Sequence, residues 1–322
     1  MAKARRAQTD RAAARQQRRD RGRSRRTAPL RSGAGNRWCG SPSKPGKPAI
    51  YWIHGAMGNV VSIKPLADQL GETYPIYGLQ AQGIDGKLPP LEKVEDMAMS
   101  YVAAIRDVDP EGPYCLLGYS GGGVIGYEMA RQLGMDGQSV AVLAMIDTLA
   151  PTHAHGASLA DWLRFAYREG LDRFAEQIRN SWSLRLNQFT RRFNTQPGEA
   201  ETVEQLIANS ALVFDAYVRA QSYYHTLPYD GDVLLFRAKR GGIPFQLAGP
   251  TLGWDDHVGD RVEVVEIDGT HETVIEPPAV HGIGDKLREK MEALERRSAA
   301  AAADGSAPGA LPASAPTLLA AK

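Results

Sequence analysis

The run Gly118-Tyr119-Ser120-Gly121-Gly122 sets a serine between glycines two positions away on either side. A serine hydroxyl is a poor nucleophile until a base takes its proton. It needs an imidazole within hydrogen-bond reach and a third group to orient that ring. The chemistry would be acyl transfer through a tetrahedral oxyanion, which needs two hydrogen-bond donors. The neighbouring residues suit that role. Tyr114-Cys115-Leu116-Leu117 is an apolar run of strand length, and Val124 to Ala130 begins a helical pattern. Ser120 is therefore expected at a sharp strand-to-helix turn. Small residues at 118 and 122 let strand and helix approach, and the first helical turn offers free N–H groups.

Seven histidines could serve as the base. His271 is favoured because Ile267-Asp268-Gly269-Thr270-His271 puts it on the loop after the last expected strand, at the edge of the sheet that also carries Ser120. Strand–turn–helix sites of the α/β-hydrolase kind also place the histidine after the serine and the acid. His257, in a polar loop, is the weaker candidate. For the acid, Asp147 ends the strand Val140 to Ile146, which follows the elbow helix. Asp255 and Asp256 compete from the loop after Val233 to Phe236, but lie far beyond that strand's end. Asp268 is read as a turn residue beside Gly269. The oxyanion donors are expected to be the backbone N–H groups of Gly121 and of Ala56, in the loop His54-Gly55-Ala56-Met57-Gly58. His54 itself is read as structural.

The elements that position these residues alternate. Apolar runs at Ala49 to Ile53, Pro75 to Leu79, Tyr114 to Leu117, Ser139 to Ile146, Val233 to Phe236 and Val262 to Ile267 read as buried strands. Helical patterns lie between them. The segment Val94 to Val108 has Met97, Tyr101, Val102, Ile105 and Val108 on one stripe. The expectation is an α/β fold, a mostly parallel sheet with helices on both faces. From about 158 to 224 the pattern is helical throughout, with aromatic residues such as Trp162, Phe165, Phe174, Trp182 and Phe189 at helical spacing. An insertion there, about 155–225, is read as a lid over the carboxyl ends of the strands.

Composition bounds the rest. Net charge is +1, but residues 1–47 hold 15 of the 38 Lys and Arg against only Asp10 and Asp20. The remainder keeps 23 basic and 35 acidic residues. Residues 1–47 are expected to be a disordered basic extension. Nucleic-acid binding is the lesser reading of this arm, since no folded nucleic-acid module follows it. The domain is placed at 48–297, and an Ala/Pro-rich tail at 298–322 is expected to be disordered. The apolar runs fall short of a membrane span, and no signal-peptide core is present. Cys39 and Cys115 show no metal-ligand spacing and are not expected to pair, which fits a reducing cytoplasm.

Taken together, these residues resemble the thioesterase domains of nonribosomal peptide and polyketide synthetases, members of the α/β-hydrolase superfamily. The resemblance rests on Ile53-His54-Gly55, Gly118-Tyr119-Ser120-Gly121-Gly122, Ile146-Asp147-Thr148 and Gly269-Thr270-His271, and spans Ile50 to Leu294. It implies an acid on the strand after the elbow helix, and a lid inserted after that same strand. The G-Y-S-x-G-G form is more similar to the chain-terminating type than to the G-H-S-M-G of freestanding editing enzymes. The resemblance implies that an acyl or peptidyl chain arrives as a phosphopantetheine thioester on a carrier protein, moves to Ser120, and leaves by hydrolysis or cyclisation. No bound cofactor is implied. A carrier segment is not seen before the domain, so the expectation is a freestanding enzyme or a piece of a larger synthetase. A small-molecule carboxylesterase or lipase with the same three residues is the alternative.

Overall fold

The structure is a computed structural model, and it describes residues 38–40, 47–154 and 200–303. The rest of the basic extension, the lid residues 155–199 with their aromatic stripe, and the tail from 304 lie outside the described residues.

Seven strands form one sheet in the order β1-β3-β2-β4-β5-β6-β7. They are β1 (Trp38–Gly40), β2 (Ile50–Ile53), β3 (Ile76–Leu79), β4 (Tyr114–Tyr119), β5 (Val140–Ile146), β6 (Val233–Ala238) and β7 (Val262–Ile267). Strands β2 to β7 pair in parallel, and β1 runs antiparallel to β3. The inner parallel strands are apolar on both faces because helices cover both, whereas β7, expected to be buried, lies at the edge and exposes Glu263 and Glu266. Tyr51, Ile53, Tyr114 and Leu116 join one core, while Ile50, Trp52, Cys115 and Leu117 join the other. That is the two-residue alternation of a pleated strand, with each face buried.

On the first face lie α2 (Val94–Val108) and α3 (Gly121–Met135). The stripe expected for α2 is the one buried, from Val94 and Met97 through Tyr101, Val102 and Ile105. Glu95 and Asp96 in its first turn and Arg106 in its last complement the helix dipole. On the second face lie α1 (Lys64–Leu70) and α8 (Ala279–Ala303), with Leu66, Leu70, Ile283 and Leu287 in the core. Three further helices lie in the connections after β5 and β6: α4 (Pro151–Ala154), α6 (Ile243–Leu247) and α7 (Asp255–Val258). The last, α5 (Ala200–Tyr223), is the described part of the expected lid, and it turns Asn209, Ser210, Val213, Ala216, Tyr217 and Ala220 inward.

The chain leaves β2 for β3 on one side and then returns to β4 on the other. The strand order therefore reverses around β2, and the crevice at the carboxyl ends of β2 and β4 is the switch point where such sheets bind ligands.

Two boundaries differ from expectation. Trp38–Gly40 falls inside the extension placed at 1–47, yet it pairs with β3, whose open edge offers unpaired backbone groups to any adjacent segment. The final helix runs to Ala303, beyond the tail placed from Ser298. Residues 299–303 are five alanines, and alanine is the strongest helix former. Among the described residues, no helix is long and apolar enough to cross a membrane.

Candidate active site

Ser120 sits between β4 and α3 with φ 53° and ψ −125°, a backbone conformation rare for any residue with a side chain. The packing on either side of it admits only glycine. A Cβ on Gly118 would lie 2.4 Å from the Gly122 carbonyl oxygen, and one on Gly122 would lie 2.2 Å from that of His54. The turn is also hydrogen-bonded on both sides. Ser120 N–H donates to Ile146 O at 2.9 Å, and the Thr148 hydroxyl donates to Ser120 O at 3.0 Å.

Three side chains from three strand ends meet here. His271 Nε2 is 3.0 Å from Ser120 Oγ, and His271 Nδ1 is 2.8 Å from Asp147 Oδ2. A carboxylate can only accept, so Nδ1 carries the proton and bare Nε2 accepts from the serine hydroxyl. Asp147, like Ser120, has a positive φ, 45°, and its side chain is completely buried. Its second oxygen, Oδ1, accepts the Ala238 N–H at 2.9 Å. Both carboxylate oxygens are thereby fixed, as a buried charge requires.

His271 is held by more than the acid. The Tyr119 hydroxyl donates to the His271 carbonyl at 2.8 Å, and the two rings stack at 5.3 Å between centroids. Phe245 of α6 approaches the imidazole at 5.1 Å. Trp52 stacks behind Tyr119 at 6.3 Å. The loop that carries His271 closes on itself, with Thr273 N–H and Val274 N–H both donating to Thr270 O.

The other candidates lie elsewhere. Asp255 takes the Thr251 hydroxyl in a short hydrogen bond. His257 faces Thr152 and the edge of Trp254. Asp268 is exposed and pairs with Lys239 at 3.0 Å. His54 is buried, with Nδ1–H donating to Gly55 O and Nε2 accepting the Tyr101 hydroxyl, both at 2.6 Å. Burial lowers its pKa from 6.5 to about 4, so the ring stays neutral.

The expected donor groups lie on the two segments that meet at the elbow. Gly121 opens α3, so its N–H has no partner within the helix. Ala56 lies in the turn after β2, where Gly58 N–H donates to Gly55 O at 2.9 Å and leaves the Ala56 N–H outside the turn's own bond. Cβ atoms built on Gly55 and Gly122 would touch Tyr119 and His54 respectively, so this turn abuts the elbow.

A family model described as "Thioesterase domain" matches residues 48–290. The chain belongs to the thioesterase-domain family. It is thus an enzyme, a hydrolase acting on thioesters, with the α/β-hydrolase fold. It is similar to a dimodular nonribosomal peptide synthase of Bacillus subtilis, 29% identical over 255 residues, which are 78% of this chain and 11% of that one. Among solved structures it resembles a four-domain nonribosomal peptide synthetase, with TM-score 0.58 and 25% identity over 78% of this chain and 20% of that one. A type II thioesterase from the borrelidin biosynthetic cluster matches with TM-score 0.57 and 17% identity, over 82% of this chain and 98% of that one. The chain spans 4–11% of the length of the first curated relatives it matches.

Some of the contacts that hold the site in this thioesterase domain gave no signal in the sequence. Tyr119 was legible as part of the G-Y-S-x-G-G form, but not as the residue that holds His271. The Ala238 N–H that fixes Asp147 depends on the pairing of β5 with β6 and follows from no motif.

Proposed function

We propose that this domain releases an acyl or peptidyl chain from the phosphopantetheine thioester of a carrier protein in secondary-metabolite biosynthesis. The observation that carries the reading is the Ser120–His271–Asp147 hydrogen-bonded line, at 3.0 and 2.8 Å, at the carboxyl edge of the sheet. The synthetase relatives support the choice of substrate.

Ser120 Oγ attacks the thioester carbon as its proton passes to His271 Nε2. The carbonyl π pair moves to oxygen, where the Gly121 and Ala56 N–H groups receive it. Asp147 holds the imidazole in the required tautomer and stabilises the imidazolium. Collapse breaks the C–S bond, and His271 returns its proton to the departing thiol. Water, or an amine or hydroxyl within the chain, then attacks the acyl-serine with His271 again as base, and collapse breaks the C–Oγ bond as His271 returns the proton to Ser120 Oγ. Carrier proteins meet it in the cytoplasm on this reading, and the enzyme itself needs no bound cofactor.

Incubation with acyl-loaded carrier protein tests this by intact mass. The expected result is one acyl group on Ser120, absent in Ser120→Ala, whose turnover falls on the order of 10⁴-fold or more. Turnover of p-nitrophenyl esters far above that of the carrier-bound substrate would replace the reading with a small-molecule esterase.

A further inference from the structure

Tyr217 of α5 is 4% exposed, and among the described residues its hydroxyl has no hydrogen-bond partner. A buried hydroxyl left unpaired costs stability, because it has given up water and gained no partner. Native structures carry few of these, and each calls for a reason. Its position supplies one. A Cβ added to Gly121 would lie 2.5 Å from the ring carbon that bears the hydroxyl and 2.7 Å from the hydroxyl oxygen itself. The phenol is therefore pressed against the Cα of the residue that follows the nucleophile, and only glycine at 121 leaves room for it.

On the other side of the ring the hydroxyl makes no hydrogen bond either. There, His54, Met97, Tyr101 and Val213 help wall a cavity of about 10 Å³, which is at the lower limit for a single water. Of the polar side chains that line it, His54 and Tyr101 are bonded to each other at 2.6 Å, and Gln82 donates to Pro89 O at 2.8 Å. Burial raises the Tyr217 pKa, so the phenol is protonated and is a donor. What arrives beside Gly121 during the reaction is an acceptor, the carbonyl oxygen of the acyl group.

We propose that the Tyr217 hydroxyl is a third oxyanion donor, delivered from α5 to the oxygen that the Gly121 and Ala56 N–H groups also receive. The inference rests on the acyl-transfer reading given above. Tyr217 transfers no proton. It strengthens its hydrogen bond as the π pair moves onto oxygen, while the serine proton goes to His271. An unpaired hydroxyl in the resting enzyme that finds its acceptor in the transition state converts a cost in stability into rate.

Tyr217→Phe keeps the ring and removes only the donor. Its kcat is expected to fall 10- to 100-fold on the carrier-bound thioester with KM unchanged, and its affinity for an acyl boronate, which forms a tetrahedral adduct on Ser120, to weaken by a similar factor. Its Tm should be equal to or above that of the parent enzyme, because an unpaired polar group has gone. Activity within twofold of the parent overturns the proposal. So does a lowered Tm with raised KM and unaltered boronate affinity, the signature of a packing role. The same comparison on a p-nitrophenyl ester separates the two ideas. If the carrier substrate is refused but the ester shows the Tyr217 effect, the substrate reading fails and the donor stands.

Discussion

His54 and His271 stand on loops at the same edge of the same sheet, after β2 and after β7, and their surroundings are opposite. His54 meets a carbonyl and a phenol, is buried, and is held neutral. His271 meets a carboxylate and a serine hydroxyl, and its side chain keeps 16% of its exposure. An imidazole at the carboxyl edge is thus not a base by virtue of its place. What separates the two is whether the groove between strands supplies an acid on one nitrogen and leaves the other facing a nucleophile. The β2 loop spends its histidine on shaping the turn that carries Ala56. The β7 loop frees its histidine to exchange a proton.

The largest test of that contrast swaps the losses. His271→Ala is expected to cost on the order of 10⁴- to 10⁶-fold in kcat, and, because the vacated site is partly exposed, water takes the place of Nδ1–H at Asp147 Oδ2 and limits the loss of Tm. His54→Ala leaves the Tyr101 hydroxyl buried without its acceptor and opens a void, so stability should fall by about 2–4 kcal/mol. Its kcat should fall by less than about a hundredfold. Urea unfolding and steady-state kinetics on both variants check this, and the reverse assignment of losses would sink the comparison.

The second test concerns the acids. Asp147→Asn preserves shape but can offer an N–H where His271 Nδ1–H must donate, which favours the wrong tautomer, and a loss of about 10⁴-fold in kcat is expected. Asp255→Asn touches only the Thr251 hydrogen bond and should stay within about twofold. Equal losses in the two variants would mean that the strand-end geometry misleads.

Much of this was legible in the sequence because Ser120 and Asp147 each follow a buried apolar run and His271 follows the half-exposed edge strand β7, and parallel strands bring such ends to one edge. The stripe of α2 was equally plain, since fifteen residues hold four helical periods. The strand Trp38–Gly40 was not legible, because three residues in an Arg- and Gly-rich stretch show no alternation; the open edge of β3 decides it. The short helices α6 and α7 likewise contain barely one turn each. Contacts across elements were the other blind spot. Tyr119 reaching the His271 carbonyl, Phe245 against the imidazole and Tyr217 against Gly121 all depend on how loops pack, which spacing along the chain does not encode. The acid could be chosen between β5 and β6, yet the reason β6 supplies no acid appears only in three dimensions: its end gives Asp147 the Ala238 N–H instead.

The smallest effect sharpens the contrast from the side of His54. Its pKa of about 4 in the folded protein lies below the 6.5 of an exposed ring. Between those values the unfolded chain binds a proton that the folded chain refuses. Stability therefore rises with pH across the window and is lost as pH falls from 6.5 towards 4, with a slope from this one group of up to about 1.4 kcal/mol per pH unit. His54→Gln removes the titrating group, so its unfolding free energy should be less steep in pH than that of the parent over the same window. NMR titration of the His54 Cε1 proton in the intact enzyme gives a second reading that needs no variant. A ring that protonates near pH 6.5 while the protein stays folded would remove the distinction between a histidine built into the wall and one left free to react.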